Sequence, residues 1–182
     1  ILRSVSEFSG VPAEEIALGV DGCGAPVFGV PVTAMALMYA RLAATPEDFG
    51  TTEARQAAAR IFRAMTTHPE IVGGRAERLD TKVMMAGRGA IVSKVGAEGV
   101  YTAGIFASET WPRGLGVALK IEDGEDRRSR PTVVIETLRQ LGLLDDEAIA
   151  ELTPYSRFAL RNHRGDEVGE VRASFELEKN QV

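Results

Sequence analysis

Residues 19 to 26 read Gly-Val-Asp-Gly-Cys-Gly-Ala-Pro, three glycines and a proline around one carboxylate and the single cysteine of the chain. Glycine accepts φ > 0 and lets backbones come close, so this run cannot lie inside a helix or a strand. It has to be a sharp turn, and everything on either side must fold back around it. Asp21 and Cys23 are two apart, which in extended backbone points both side chains the same way. Apolar Ile16, Leu18 and Val20 lead in, and an apolar stretch from Val27 to Ala43 leads out. Two reactive side chains on a turn between apolar elements mark a candidate site. The plainer reading is a structural Asp beside a buried, inert Cys, since a free cysteine usually behaves as a small hydrophobe. Spacing alone favours that plainer reading.

The rest of the composition bounds the function. A chain of 182 residues, 45% hydrophobic and 26% charged, fits one domain with a real core. A net charge of −5 argues against a nucleic-acid groove or an anionic membrane surface. One cysteine excludes an internal disulfide and fits a reducing cytoplasm. No apolar run approaches the roughly 20 residues of a membrane span, and no signal peptide is visible.

Periodicity supplies the elements. Leu2 to Phe8 reads as a helix ended by Gly10, and Ile16 to Asp21 as a strand. Thr33 to Ala43 is apolar nearly all round and calls for cover on most sides. Thr52 to Met65 is an amphipathic helix, with Ala58, Ile61, Phe62 and Met65 at helical spacing. His68-Pro69 closes it, because the residue before proline is pushed out of the α region. Asp80 or Thr81 can cap a helix over Lys82 to Ala86, stopped by Gly87. Val100 to Phe106 and Leu115 to Ile121 read as adjacent antiparallel strands. A helix follows from Pro131 to Leu141. Asp145 caps another over Glu147 to Leu152, and the chain closes on a hairpin of Phe158 to Asn162 with Val168 to Leu177. Helices before and after a block of strands give an α+β class, with an antiparallel sheet flanked by helices.

Lys94 is the strongest catalytic candidate. It sits in the apolar run from Ala90 to Tyr101, beside Gly96 and Gly99. A buried amine gives up its proton more readily and can act as a base. The alternative is a lysine at a strand end with its ammonium in water. His68 and His163 lack ligand spacing to each other or to an acid, so a histidine metal site or a Ser-His-Asp triad has little support. Asp80 ranks first as a cap and second as a catalytic group.

Three segments in this order carry a family resemblance: Gly19-Val20-Asp21-Gly22-Cys23-Gly24-Ala25-Pro26-Val27-Phe28, Arg78-Leu79-Asp80-Thr81, and Lys94-Val95-Gly96-Ala97-Glu98-Gly99-Val100. With the closing Arg161-Asn162-His163-Arg164-Gly165 and Val168-Gly169-Glu170-Val171-Arg172, they resemble the asparaginase II family of the Rhizobium type. The resemblance implies a fold like that of serine β-lactamases and penicillin-binding proteins. It also implies hydrolysis of the side-chain amide of L-asparagine to aspartate and ammonia by a serine activated by lysines. Lys94 matches the lysine of the family's later Ser-Lys pair, in surroundings like the Lys-Thr-Gly strand of β-lactamases. Asp21 and Cys23 match substrate-pocket positions, and the family cysteine can also help hold a zinc ion, for which a thiolate is a suitable soft ligand.

The family's Ser-x-x-Lys nucleophile does not occur in these 182 residues. The expectation is therefore that residues 1–182 form the C-terminal part of one catalytic domain, completed by chain from elsewhere or by a partner copy. The expected protein is a cytoplasmic enzyme with a small-molecule substrate and no nucleic-acid or membrane partner, capable of forming a homo-oligomer. Two rivals accompany it: a glutaminase or penicillin-recognising hydrolase on the same scaffold, and an amino-acid-binding protein without a nucleophile.

Overall fold

Alternation along Ile-Val-Ser-Lys-Val decides the architecture, because successive side chains of a strand face opposite ways and here both faces are apolar near the start. The computed structural model describes residues 1–75, 78–124 and 127–178. In it the elements run α1 (Leu2–Ser9), a single 3-10 turn (Ala13–Glu15), β1 (Ala17–Val20), β2 (Pro26–Gly29), α2 (Val32–Ala44), α3 (Thr52–Thr67), α4 (Pro69–Gly73) and α5 (Leu79–Ala86). There follow β3 (Ile91–Val95), β4 (Val100–Ile105), β5 (Leu115–Lys120), α6 (Ser129–Gln140), α7 (Asp146–Ser156), β6 (Phe158–Arg161) and β7 (Glu167–Val171). The class is α+β, and the strands pair only with antiparallel neighbours among the described residues.

The central sheet has the order β3-β4-β5. Ile91 packs one way, in a core with Tyr101, Ala103, Ile105, Val117, Val134, Leu138 and Leu152 that joins the sheet to α6 and α7. Val92 packs the other way, with Ala43, Phe62 and Met84 and with Tyr39 and Leu42 beside them. Helical layers therefore cover both faces. The close seat of α2 depends on two glycines. A Cβ on Gly116 would overlap the Ala36 carbonyl oxygen, and one on Gly104 would overlap that of Tyr39. The helix backbone thus lies directly on the strands, where any side chain would hold it off. The cover that the apolar Thr33 to Ala43 run calls for comes from β4 and β5 beneath, with α1 and α3 alongside.

Most of the expected elements stand within a residue or two. Gly10 ends α1 in the left-handed conformation, Thr51 caps α3 by accepting from the Ala54 N–H, and Asp145 caps α7 by accepting from the Ala148 N–H. Three expectations need correcting. No side-chain cap bond starts α5, and Asp80 faces the sheet instead. Helix α7 runs on to Ser156, where Tyr155 packs against the main core and holds the last turn. The closing hairpin ends at Val171, short of Leu177. Past it, the Gln140 side-chain amide donates to the Phe175 carbonyl and accepts from the Leu177 N–H, taking the place of a ladder partner.

Candidate active site

The glycine turn of residues 21–25 joins β1 to β2 in an antiparallel hairpin, with Val20 opposite Pro26. The Asp21 N–H donates to the Ala25 carbonyl, and the Gly24 N–H donates to the Asp21 carbonyl. Gly24 has φ 77, a conformation that suits glycine. Oδ1 of Asp21 accepts from two backbone amides, Cys23 N–H at 2.8 Å and Ala25 N–H at 2.9 Å. This is the local side-chain bonding that makes Asp a turn former. Asp21 therefore organises its own loop, and any contact with substrate is an addition to that role.

Cys23 is exposed, which removes the reading of it as a buried core cysteine. Among the described residues no three His, Cys, Asp or Glu side chains gather as a metal site. One thiol and a carboxylate oxygen already holding two amides do not fit a zinc ion. Zinc at Cys23 would need its remaining ligands from outside these residues.

Lys94 lies on β3 opposite Thr102, on the α2 side of the sheet. Its side chain is 40% exposed, nearer to the alternative of a strand-end lysine than to a lysine buried in an apolar strand. What the amine has instead is a carboxylate neighbour. Lys94 Nζ stands 3.7 Å from Asp80 Oδ2 and donates to the Val95 carbonyl at 2.8 Å. Lys94 comes near the end of β3, an outer strand of the sheet, where burial along the strand falls off.

Asp80 is the residue that the sequence undervalues. Its side chain is fully buried in the first turn of α5, against the free edge of β3. Oδ1 accepts from the Val95 N–H at 2.6 Å. That amide points away from β4 and would otherwise be an unsatisfied sheet edge. Among the described residues Oδ2 accepts no hydrogen bond, and it faces two cations, Lys94 and, at 3.8 Å, Arg78 Nη2. The local sequence gives no signal of this. An acidic residue in a helix's first turn looks the same whether it meets water or a strand.

Two phenols stand close by. Burial raises the pKa of Tyr39 above the ordinary tyrosine value, opposed by a hydrogen bond with Thr102 and reinforced by the Asp80 charge. Tyr101 is fully buried and shares a 2.9 Å hydrogen bond with the Ser93 hydroxyl; burial again pushes its pKa strongly upward. Both phenols are held neutral at physiological pH.

Two cavities meet at this point. One, of about 430 Å³, is walled by Pro26, Val27 and Phe28 of β2, by Met35, Met38 and Tyr39 of α2, and by Lys94 and Thr102. The other, of about 740 Å³, is walled by Arg78, Arg127, Arg130 and Tyr155, and again by Lys94. Lys94, Val95 and Gly96 line both. Arg130 fixes this corner from below, donating from Nη1 to the Gly96 carbonyl at 2.7 Å. Of the three residues singled out from sequence, only Lys94 is on these walls. Asp21 and Cys23 sit at the tip of the hairpin whose second strand forms one side of the smaller cavity.

No curated protein matches the chain. The family model of L-asparaginase II matches residues 1–173, which takes in the hairpin turn, the Arg78–Thr81 segment, the Lys94 strand and the closing hairpin, and so this chain belongs to the L-asparaginase II family.

Proposed function

We propose that the protein is an L-asparaginase-like amidohydrolase that converts L-asparagine to L-aspartate and ammonia, with Lys94 as its proton carrier. The observation that supports this assignment of Lys94 is its position: a partly exposed side chain on β3 that lines two cavities. The nucleophile in this reading is a serine from outside the 182 residues, since they contain no Ser-x-x-Lys. Its hydroxyl attacks the side-chain amide carbon while the proton passes to the Lys94 amine, which has to be neutral at that moment. The carbon–nitrogen bond then breaks, the proton leaves with ammonia, and water cleaves the resulting ester to release aspartate. Asp21 and Cys23 are the proposed substrate contacts, delivered by the hairpin that walls the smaller cavity. No step is assigned to zinc.

A cytoplasmic enzyme acting on a free amino acid, able to assemble as a homo-oligomer, fits this chemistry. No helix among the described residues is long and apolar enough to cross a membrane. A serine-β-lactamase-like scaffold remains part of the proposal, carried by the sequence of the Lys94 strand. The missing nucleophile favours one second reading, a binding protein that keeps the pocket without turnover. Ammonia release by the intact protein from asparagine, glutamine and a penicillin separates them. Release from asparagine above all supports the proposal. Asparagine binding by calorimetry with no ammonia supports the binder, and glutamine or penicillin turnover would reassign the enzyme.

A further inference from the structure

We propose that Asp80 is a positioning residue that holds the Lys94 amine in place at the meeting point of the two cavities. The inference rests on the proposed role of Lys94 and adds the group that sets it. Asp80 is fully buried, yet only one of its oxygens is used by the fold: Oδ1 takes the Val95 N–H, and among the described residues Oδ2 accepts no hydrogen bond. A buried carboxylate oxygen without a donor is costly to keep, and a purely structural role could be filled by a neutral side chain bonding the same amide. The charge instead faces Lys94 Nζ at 3.7 Å and Arg78 Nη2 at 3.8 Å. The Asp80 charge also reinforces the raised pKa values of Tyr39 and Tyr101, which burial chiefly sets.

One side chain thus does two things at once. Through Oδ1 it pins the strand next to Lys94, and through Oδ2 it draws the end of the lysine side chain toward the first turn of α5. Lysine has a flexible four-carbon stem, so an amine at a cavity mouth needs such an anchor to have a defined position. The Val95 carbonyl supplies a second anchor on the other side of the nitrogen. Together they hold Nζ between the first turn of α5 and the end of β3.

Asp80→Asn keeps the size and an oxygen for the Val95 amide while removing the charge. Acetic anhydride labelling of the lysines, read by mass spectrometry with Lys82 as internal reference, tests the contact without any assumption about activity. In the intact protein Lys94 should label several-fold more slowly than Lys82, the difference should vanish on unfolding, and Asp80→Asn should abolish most of it. In the asparaginase assay Asp80→Asn should lower kcat on the order of tenfold to a hundredfold, with KM within about twofold. It should cause no further loss in a Lys94→Met background. Asp80→Glu, which keeps the charge, is the second variant should Asp80→Asn fail to fold, and it should retain slow labelling. Equal labelling of Lys94 and Lys82 in the native protein would overturn the proposal. So would an Asp80→Asn loss of the same size with and without Lys94. If the wild type releases no ammonia, the amidohydrolase reading falls, while the labelling arms still decide the Asp80 contact.

Discussion

Asp21, in the turn between β1 and β2, and Asp80, in the first turn of α5, are two carboxylates with opposite fates. Asp21 is exposed and spends Oδ1 on two amides of its own loop, two and four residues away. Asp80 is fully buried and spends one oxygen on an amide fifteen residues away, leaving the other aimed at a lysine and an arginine. The hairpin around Asp21 has both strands largely exposed, with Leu18 at 63% and Val20 at 75%, so little besides its turn holds it. The sheet corner around Asp80 lies between two helical layers. A local carboxylate can be replaced with little effect on the rest of the fold, whereas one that joins two elements cannot.

The sharpest way to break this contrast is to compare a glycine of the hairpin with one of the central sheet. Gly116→Ala places a Cβ into the Ala36 carbonyl, and α2 would have to lift off the sheet. We expect a loss of more than about 4 kcal/mol, or failure to fold. At Gly22 an added Cβ meets nothing within 4 Å, and Gly22→Ala should stay within about 0.5 kcal/mol. Urea unfolding of the two variants reads both. Equal effects would mean that α2 is not seated where the structure has it.

Replacing the carboxylates themselves comes next. Asp80→Ala strands a buried Val95 amide and removes the counter-charge of Lys94, and should cost about 3 kcal/mol. Asp21→Ala removes two exposed turn bonds and should cost about 1 kcal/mol. A reversal of that order in thermal melts would mean that the hairpin, not the sheet corner, anchors the fold.

How much of this could be read from the sequence follows the same division. Thr51 and Asp145 cap helices as their positions predict, because a cap bonds three residues ahead and the pattern is local. The turn at residues 21–25 was legible for the same reason. Asp80 was not, since its partner is on another element and its local surroundings match those of an ordinary first-turn acid. For Lys94 the sequence offered both a buried base and a strand-end ammonium in water, and the partly exposed side chain is nearer the second. Its apolar neighbours Val92 and Val95 suggest a buried strand, but only the sheet order shows that β3 is outermost. Periodicity left the role of Lys94 undecided, and no local rule would have joined it to residue 80.

A smaller effect separates the regions by pH. Tyr39 and Tyr101 have raised pKa values in the fold, whereas an unfolded tyrosine ionises near pH ~10. Their contribution is fully present below that unfolded value and is lost as pH rises through the folded ones. Stability should therefore decline above about pH 10, with tyrosinate absorbance growing in step with unfolding. Tyr101→Phe should cost about 1 kcal/mol at neutral pH by leaving the Ser93 hydroxyl without its partner, and should soften the alkaline decline. Tyrosinate absorbance that precedes unfolding would show the phenols to be accessible.

The smallest stability effect belongs to the hairpin tip. Cys23 is exposed, so a thiol reagent should modify the native protein, and Cys23→Ala should change stability by less than about 1 kcal/mol. If the residue contacts substrate, the KM for asparagine rises in the same variant. An unchanged KM would leave the hairpin as scaffold alone.

The central claim is that amide hydrolysis runs through an amine at Lys94 that can lose its proton. Lys94→Arg in the intact protein tests it most directly, because guanidinium keeps the positive charge beside Asp80 and cannot serve as a base. Steady-state ammonia release from asparagine should fall by a factor on the order of 10² or more, with the melting temperature close to that of the wild type. Near-normal turnover by Lys94→Arg would contradict the account, since Lys94 would then supply only a positive charge at the cavity mouth.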